Sequence, residues 1–157
     1  MNAEKAGFLQ NRFVPLLQKI SSGTKPLWGK MTLQQMIEHF ADSVRIASGK
    51  IAFAEIITPP ENLERLRDFV LSEKPFKENT VNSLMPETPA PVKNPSIEEA
   101  LKDLKEEINF FFSVFEENSQ QVTRNPFFGD LNFEQNVHLL YKHALHHLKQ
   151  FNINSNI

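Results

Sequence analysis

The stretch SIEEALKDLKEEINFFFSVF, residues 96–115, carries the strongest helical pattern in the chain. Apolar side chains recur along it at three- and four-residue steps, which places them on one face of an α-helix. This face consists of Ile97, Leu101, Leu104, Ile108, Phe111 and Phe115. Ser96 and Glu99 form a capping-box pattern at its start. An apolar face of about five turns needs other helices to cover it, so the stretch predicts one member of a helical bundle.

Another helical segment is predicted near the N-terminus, from about Ala3 to Ile20, with Leu9, Phe13 and Leu16 on its apolar face. Pro15 interrupts this segment because proline lacks the N–H that a helix interior uses. Either the helix kinks at Pro15 or a second short helix begins near it. Gly23 is expected to end the segment in a left-handed conformation.

Two more helices are predicted by their start signals and their periodicity. One runs from Thr32 to about Gly49, and Thr32 with Gln35 gives a capping-box pattern. The other runs from Asn132, a favourable N-cap residue, to about Phe151. Numbered in chain order, the N-terminal segment is the first helix and the segment from Thr32 is the second. Residues 96–115 are the third helix, and the segment from Asn132 is the fourth.

The connection between the second and third helices is long, spanning residues 51–95. Its middle, Asn62 to Ser72, is predicted to be a short amphipathic helix. Its end is predicted to be a stiff extended strap, because it contains Pro86, Pro89, Pro91 and Pro95. A crossover of this length lets the second and third helices run parallel. No segment shows sustained strand alternation, so the predicted fold is all-α, a four-helix bundle with one long crossover.

The composition excludes several classes of function. A chain of 157 residues fits one domain, and the lack of Cys rules out disulfides, thiolate metal sites and cysteine nucleophiles. The net charge of −2, with no basic stripe, argues against nucleic-acid binding. The N-terminal residues lack the apolar run of a signal peptide, and no apolar stretch is long enough to span a bilayer. We therefore expect a soluble, cytoplasmic protein with no membrane partner.

Histidines suggest a metal site. His143 and His147 lie one turn apart at the edge of the apolar face of the fourth helix, so both imidazoles can reach one ion. His39 flanks the apolar face of the second helix, and facing helices of a bundle can direct such side chains to one point. Three imidazoles with an open coordination position suit zinc, nickel or ferrous iron, and the sequence does not choose among them.

A metal-free interpretation is equally open on the pattern alone. A single histidine at the edge of an apolar face is usually structural, and histidine pairs one turn apart also occur without metal. His138 and His146 are expected to point toward solvent, since neither lies at the edge of the apolar face.

Two strings resemble the DinB/YfiT-like superfamily, and within it a branch without a known function. They are PLWGKMTLQQMIEHF, residues 26–40, and NPFFGDLNFEQNVHLLYKHALHHLKQF, residues 125–151. Three motifs carry the resemblance: the Trp-Gly-x-Met lead into the second helix, the Pro-x-Phe-Gly loop, and the His-x-x-His-His-x-x-Gln-Phe ending. The two strings cover about a quarter of the chain, and the helix order and long crossover extend the likeness over most of it.

The resemblance implies that residues 1–157 form a single bundle domain with one divalent metal ion held by His39, His143 and His147. It implies a metal-dependent hydrolase, or a transferase acting on low-molecular-weight thiols, with a small-molecule substrate that remains unknown. It also makes a homodimer the expected assembly.

Acid and base residues for such chemistry are not obvious. Glu38 and Asp42 flank His39, and Asp130 and Glu134 lie near the start of the fourth helix, but each fits a solvated helix charge better. Gln150 is a candidate to donate a hydrogen bond to a metal ligand or substrate, or equally a capping or packing amide. The alternative function is therefore a non-catalytic helical protein that binds small molecules or a partner, which the fourteen phenylalanines also allow.

Two aromatic motifs have competing interpretations. Trp28-Gly29 is predicted to plug the end of the bundle, with Gly29 in a tight turn, rather than to form a pocket wall. Phe110 and Phe112 cannot both face the core together with Phe111, so one of them is expected to line a pocket or a dimer face.

Overall fold

The computed structural model describes residues 2–78 and 88–154 of the chain and confirms an all-α bundle. Its elements in order are α1 (Asn2–Asn11), α2 (Phe13–Gln18), α3 (Leu33–Ser48), α4 (Pro60–Leu71), α5 (Ile97–Glu117), β1 (Thr123–Asn125), β2 (Gly129–Leu131) and α6 (Phe133–Gln150). One apolar core collects side chains from α1 with α2, α3, α5 and α6, while α4 lies in the crossover. No helix in the described ranges has the length and apolarity needed to cross a membrane.

Helices α3, α5 and α6 begin at the capping residues identified in the sequence. The Thr32 hydroxyl accepts a hydrogen bond from the Gln35 backbone at 3.2 Å, and the Gln35 side chain accepts one from the Thr32 N–H at 2.9 Å. Asn132 and Gln135 form the same reciprocal pair at the start of α6. Ser96 caps α5 through the backbone N–H of Glu99. These bonds satisfy N–H groups that have no partner within the helix and fix the first turn of each element.

The interruption at Pro15 is resolved by a second short helix, one of the two alternatives predicted. α1 ends at Asn11 and α2 starts at Phe13, so Pro15 lies in the first turn of α2, where a missing N–H removes no helical bond. The prediction for Gly23 is wrong, because the left-handed glycines are Gly29, Gly49 and Gly129. Helix α2 has already ended at Gln18, so no helix end remains at Gly23 for a glycine to close.

The order of the contacts shows that α3 and α5 run parallel, as the long crossover predicted. Near the start of α3, the Glu38 carboxylate accepts hydrogen bonds from the backbone N–H groups of Lys93 and Asn94, just before α5. Further along α3, Arg45 pairs with Glu107 in the middle of α5 at 2.7 Å. Residues 88–95 form no helix or strand, which agrees with the predicted strap, while Pro86 lies outside the described residues.

A small hairpin corrects the expectation that the chain has no strands. β1 and β2 pair antiparallel, with Thr123 opposite Leu131. The Asn125 side chain accepts hydrogen bonds from the N–H groups of Phe127 and Phe128 and so shapes the turn. Strands of three residues are too short to show alternation in a sequence. The crossover helix also starts earlier than predicted, at Pro60, because proline suits the first position of a helix.

Of the two ambiguous phenylalanines, Phe112 packs in the core and Phe110 faces outward. The Phe112 ring lies 5.9 Å from the Phe133 ring. Phe110 is 39% exposed, and the Lys50 ammonium lies 4.3 Å from its ring centre. The Lys50 side chain thus covers part of the phenylalanine that the core leaves out.

We expect Glu107→Gln to lower the free energy of unfolding at pH 7 by about 1–3 kcal/mol, because the buried carboxylate accepts charge-assisted hydrogen bonds from Arg45 and Lys50. Burial alone would raise the pKa of Glu107, but the bonds from Lys50 and Arg45 hold it below the ordinary 4.5. A folded pKa below the unfolded pKa gives stability that is present above pH 4.5 and lost as the pH falls through the folded value.

Urea denaturation at neutral pH and at about pH 3 checks this prediction. The difference between wild type and Glu107→Gln should shrink in acid. Glu106→Gln, at an exposed position on the same helix, is the matched control and should change little at either pH. A difference that stays constant with pH would contradict the assigned role of the carboxylate.

Candidate metal centre

Three imidazoles from α3 and α6 converge on one point. The Nε2 atom of His143 lies 2.7 Å from Nε2 of His147 and 3.2 Å from Nε2 of His39. The three donor atoms all lie within 4.8 Å of one another. Nitrogen ligands bind zinc at about 2.0–2.1 Å, which puts pairs of them about 3.3 Å apart in a tetrahedral arrangement. The three histidines predicted from the sequence are therefore brought together close to that geometry.

Hydrogen bonding fixes the protonation of His147. The Gln150 amide nitrogen donates to the carbonyl oxygen of Trp28 at 3.0 Å, and that oxygen can only accept. The other end of the amide, its oxygen, therefore faces Nδ1 of His147 at 2.7 Å, so Nδ1 carries the proton. This leaves a lone pair on Nε2, directed at the other histidines. Gln150 thus accepts from a candidate ligand through its oxygen, whereas the ligand contact predicted from the sequence was a donated hydrogen bond.

The donor set suits a cation better than it suits internal hydrogen bonds. Nε2 of His147 can only accept, and Nε2 of His143 carries at most one proton for two close nitrogen neighbours. Wherever the protons sit, at least one of the two close contacts, His143 to His147 or His143 to His39, therefore lacks a hydrogen bond. A divalent ion accepts all three lone pairs at once.

Burial keeps the three rings in the neutral form that binds metal. Desolvation lowers the pKa of His143 and His147 well below its ordinary value, and neighbouring imidazoles lower it further. Desolvation also lowers the pKa of His39, although the Asp42 carboxylate opposes the shift. Neutral imidazole is the ligand form, so a metal ion does not have to compete with imidazolium cations at pH 7.

Aromatic rings surround the cluster. The Phe40 ring lies 4.9 Å from the His143 ring on the core side, and the Phe76 ring lies 6.2 Å from it. The Trp28 ring lies 5.4 Å from the His146 ring, next to the centre. Trp28 therefore contributes both its backbone and its ring here, so the interpretation as an end plug alone is incomplete. Gly29 is left-handed as the predicted turn requires, with φ 78°.

The predicted exposure of His138 and His146 is wrong. His138 is only 8% exposed, and its Nδ1 lies 3.3 Å from the Lys5 ammonium on α1. His146 is half-buried between the rings of Trp28 and Phe76. The physical reason is that α6 contacts α1, α3 and α4, so more than one of its faces is covered.

Three of the four acidic candidates are bonded elsewhere. Glu38 holds the strap, and although burial alone would raise its pKa, the backbone N–H groups of the strap keep its pKa low. Asp42 pairs with Arg45 at 2.8 Å, and Asp130 pairs with Arg124 at 2.8 Å. Across residues 2–78 and 88–154, no carboxylate is hydrogen-bonded to the three clustered imidazoles. The sequence indicated Gln150 but not the hydrogen bond that anchors its amide to the Trp28 carbonyl.

We expect Gln150→Leu to weaken metal binding by about ten- to a hundredfold, because loss of the partner on Nδ1 frees the His147 ring and its tautomer. Competition with a chromogenic zinc chelator measures the change. Gln18→Leu, at an exposed position at the end of α2, is the matched control. An unchanged affinity in Gln150→Leu would show that packing alone orients His147.

Fold and site together define a helical bundle with a three-histidine centre between α3 and α6. The sequence matches the DinB superfamily over residues 10–151, and the chain belongs to that superfamily. Comparison with curated proteins and with solved structures gives no match.

Proposed function

We propose that the protein binds one divalent metal ion through His39, His143 and His147 and uses an open coordination position for hydrolysis or thiol transfer on a small molecule. The observation that carries the proposal is the hydrogen-bond chain from Trp28 through Gln150 to His147. These hydrogen bonds orient the Nε2 lone pair of His147 toward the cluster it forms with the other two imidazoles. Membership of the DinB superfamily supports it.

The protein supplies orientation and a shielded setting to the centre. When bound, a divalent ion makes a water or a thiol at its open position more acidic. Phe40 and Phe76 place apolar rings beside His143, which limits access of bulk water from those directions. Gln150 holds His147 in one tautomer. With Glu38, Asp42 and Asp130 bonded elsewhere, a proton leaving the site would pass to solvent or substrate.

Elemental analysis of protein purified without added metal tests the proposal. We expect about one zinc, nickel or iron per chain, the number that three imidazoles at one centre can hold. Panels of esters, amides and thiol–electrophile pairs, with metal removed and then restored, test the chemistry. Activity that depends on metal and is lost in His147→Ala, but kept in Gln18→Leu at the exposed end of α2, agrees with the proposal.

Two results would overturn it. One is activity that survives both metal removal and His147→Ala. The other is a chain that takes up no divalent metal at near-equimolar concentration, which favours the non-catalytic binding protein instead.

A further inference from the structure

A second feature lies beside the metal centre: a cavity of about 140 Å³ between α6 and the segment after α4. Its charged lining consists of Lys5, Lys74, Lys142, Lys149, Glu73 and Glu78. Phe76, Tyr141 and Leu145 add apolar surface. An apolar cavity of about this volume holds a molecule the size of benzene, so the space suits about six non-hydrogen atoms.

The charges of this cavity do not balance. Glu73 pairs with Lys5 at 3.0 Å, and Glu78 lies 3.3 Å from Lys149. Lys142 is only 7% exposed, and no carboxylate within the described ranges lies at ion-pair distance from its ammonium. The ammonium donates instead to the backbone oxygens of Ser72 and Lys74.

A buried cation without a counter-charge is costly, even when neutral oxygens accept its hydrogen bonds. An ammonium has three N–H donors, and the two backbone oxygens use two of them. The Phe69 ring lies 4.4 Å from the ammonium and presents its π face to it, but this ring carries no net negative charge. A ligand carboxylate in the cavity would supply the missing negative charge.

The cavity and the metal centre share side chains. Phe76 lines the cavity, and its ring lies 6.2 Å from the ring of His143. His146 also lines the cavity, and its ring lies 5.2 Å from the ring of His147. A molecule seated against Lys142 would therefore sit one aromatic ring away from the centre.

We propose that this cavity binds a small organic carboxylate, with Lys142 as the residue that recognises its charge. The bound carboxylate belongs to the substrate of the neighbouring centre, and this assignment rests on the proposed function. Anion binding itself does not require the metal. The substrate class is thus a small carboxylic acid or the carboxylate end of a larger molecule.

Butyrate and butyramide are suitable probes, because they have the same shape and six non-hydrogen atoms each but differ in charge. Calorimetric titration of chelator-treated protein should give an affinity for butyrate at least about tenfold higher than for butyramide, as a charge-assisted bond contributes that much. Amide NMR shifts in the same wild-type samples should concentrate in residues 72–78 and 138–149.

Lys142→Met keeps the apolar stem of the side chain and removes the charge, so it should lose the preference for butyrate. Lys105→Met is the matched control, because Lys105 also donates to a backbone oxygen, that of Gln10, but does not line the cavity. Lys105→Met should keep wild-type affinity. If Lys142→Met fails to fold, the wild-type affinity ratio and shift map decide.

The proposal is overturned if the two probes bind equally, if Lys142→Met keeps the preference, or if the shifts fall elsewhere. Butyrate binding that appears only with metal added places the anion on the ion, which sinks the cavity proposal and leaves the proposed function intact. A protein that binds butyrate in the cavity but takes up no metal supports the anion site and overturns the proposed function.

Discussion

His143→Ala should weaken zinc binding by about a hundredfold or more, the largest effect expected of any single substitution at the centre. His143 is the middle one of the three candidate ligands, since its Nε2 lies close to the Nε2 atoms of both His39 and His147. Its loss leaves two donors that do not share a close partner. Substitution of a residue that hydrogen-bonds to a metal ligand typically weakens metal affinity about ten- to a hundredfold. Removal of a ligand should weaken it at least as much.

The measurement is zinc affinity by chelator competition, together with metal content after dialysis. His138→Ala is the control, because His138 is a buried histidine on the same helix that contacts Lys5 instead of the cluster. Both variants should keep the helical circular dichroism of the wild type. Equal zinc affinity in the two variants would refute the centre.

Phe40→Ala should lower the free energy of unfolding by about 3–5 kcal/mol and the melting temperature by roughly 10 °C. Phe40 is fully buried, and its ring lies 4.7 Å from the Phe13 ring and 4.9 Å from the His143 ring. Truncation leaves a cavity where α2, α3 and α6 meet. Thermal denaturation followed by circular dichroism measures the loss.

Phe110→Ala makes the same chemical change at a half-exposed position. It should lower the melting temperature by far less, since the ring leaves no enclosed cavity and loses mainly its contact with the Lys50 ammonium. Comparable losses in the two variants would mean that Phe40 is not part of a closely packed core.

Much of the fold could be predicted because each long helix carries both a cap and a regular apolar face. Thr32 and Asn132 mark helix starts to the residue. The strand pair could not be predicted, because its stability comes from a side chain in the turn and from contacts to other segments. Ile57 donates to the carbonyl of Pro126, and Arg67 donates to that of Phe128. These contacts are distant in sequence.

The centre could be predicted as far as its three histidines, because one-turn spacing and an edge position depend only on local geometry. The burial of His138 and His146 could not, since it depends on which elements cover the other faces of α6. The tautomer of His147 likewise depends on Trp28, which is remote in the chain. Homodimer formation and cytoplasmic location stay predictions.

His39 and His143 are 104 positions apart, and the entire crossover, α5 and the hairpin lie between them. On the proposed site, an ion would close this long loop as a removable staple in a chain that has no cysteine with which to form a permanent one. Free metal at a hundred times the dissociation constant would add about 2.7 kcal/mol to folding stability. The folding stability of the bundle would then depend on the concentration of available metal as well as on the packing of its phenylalanines.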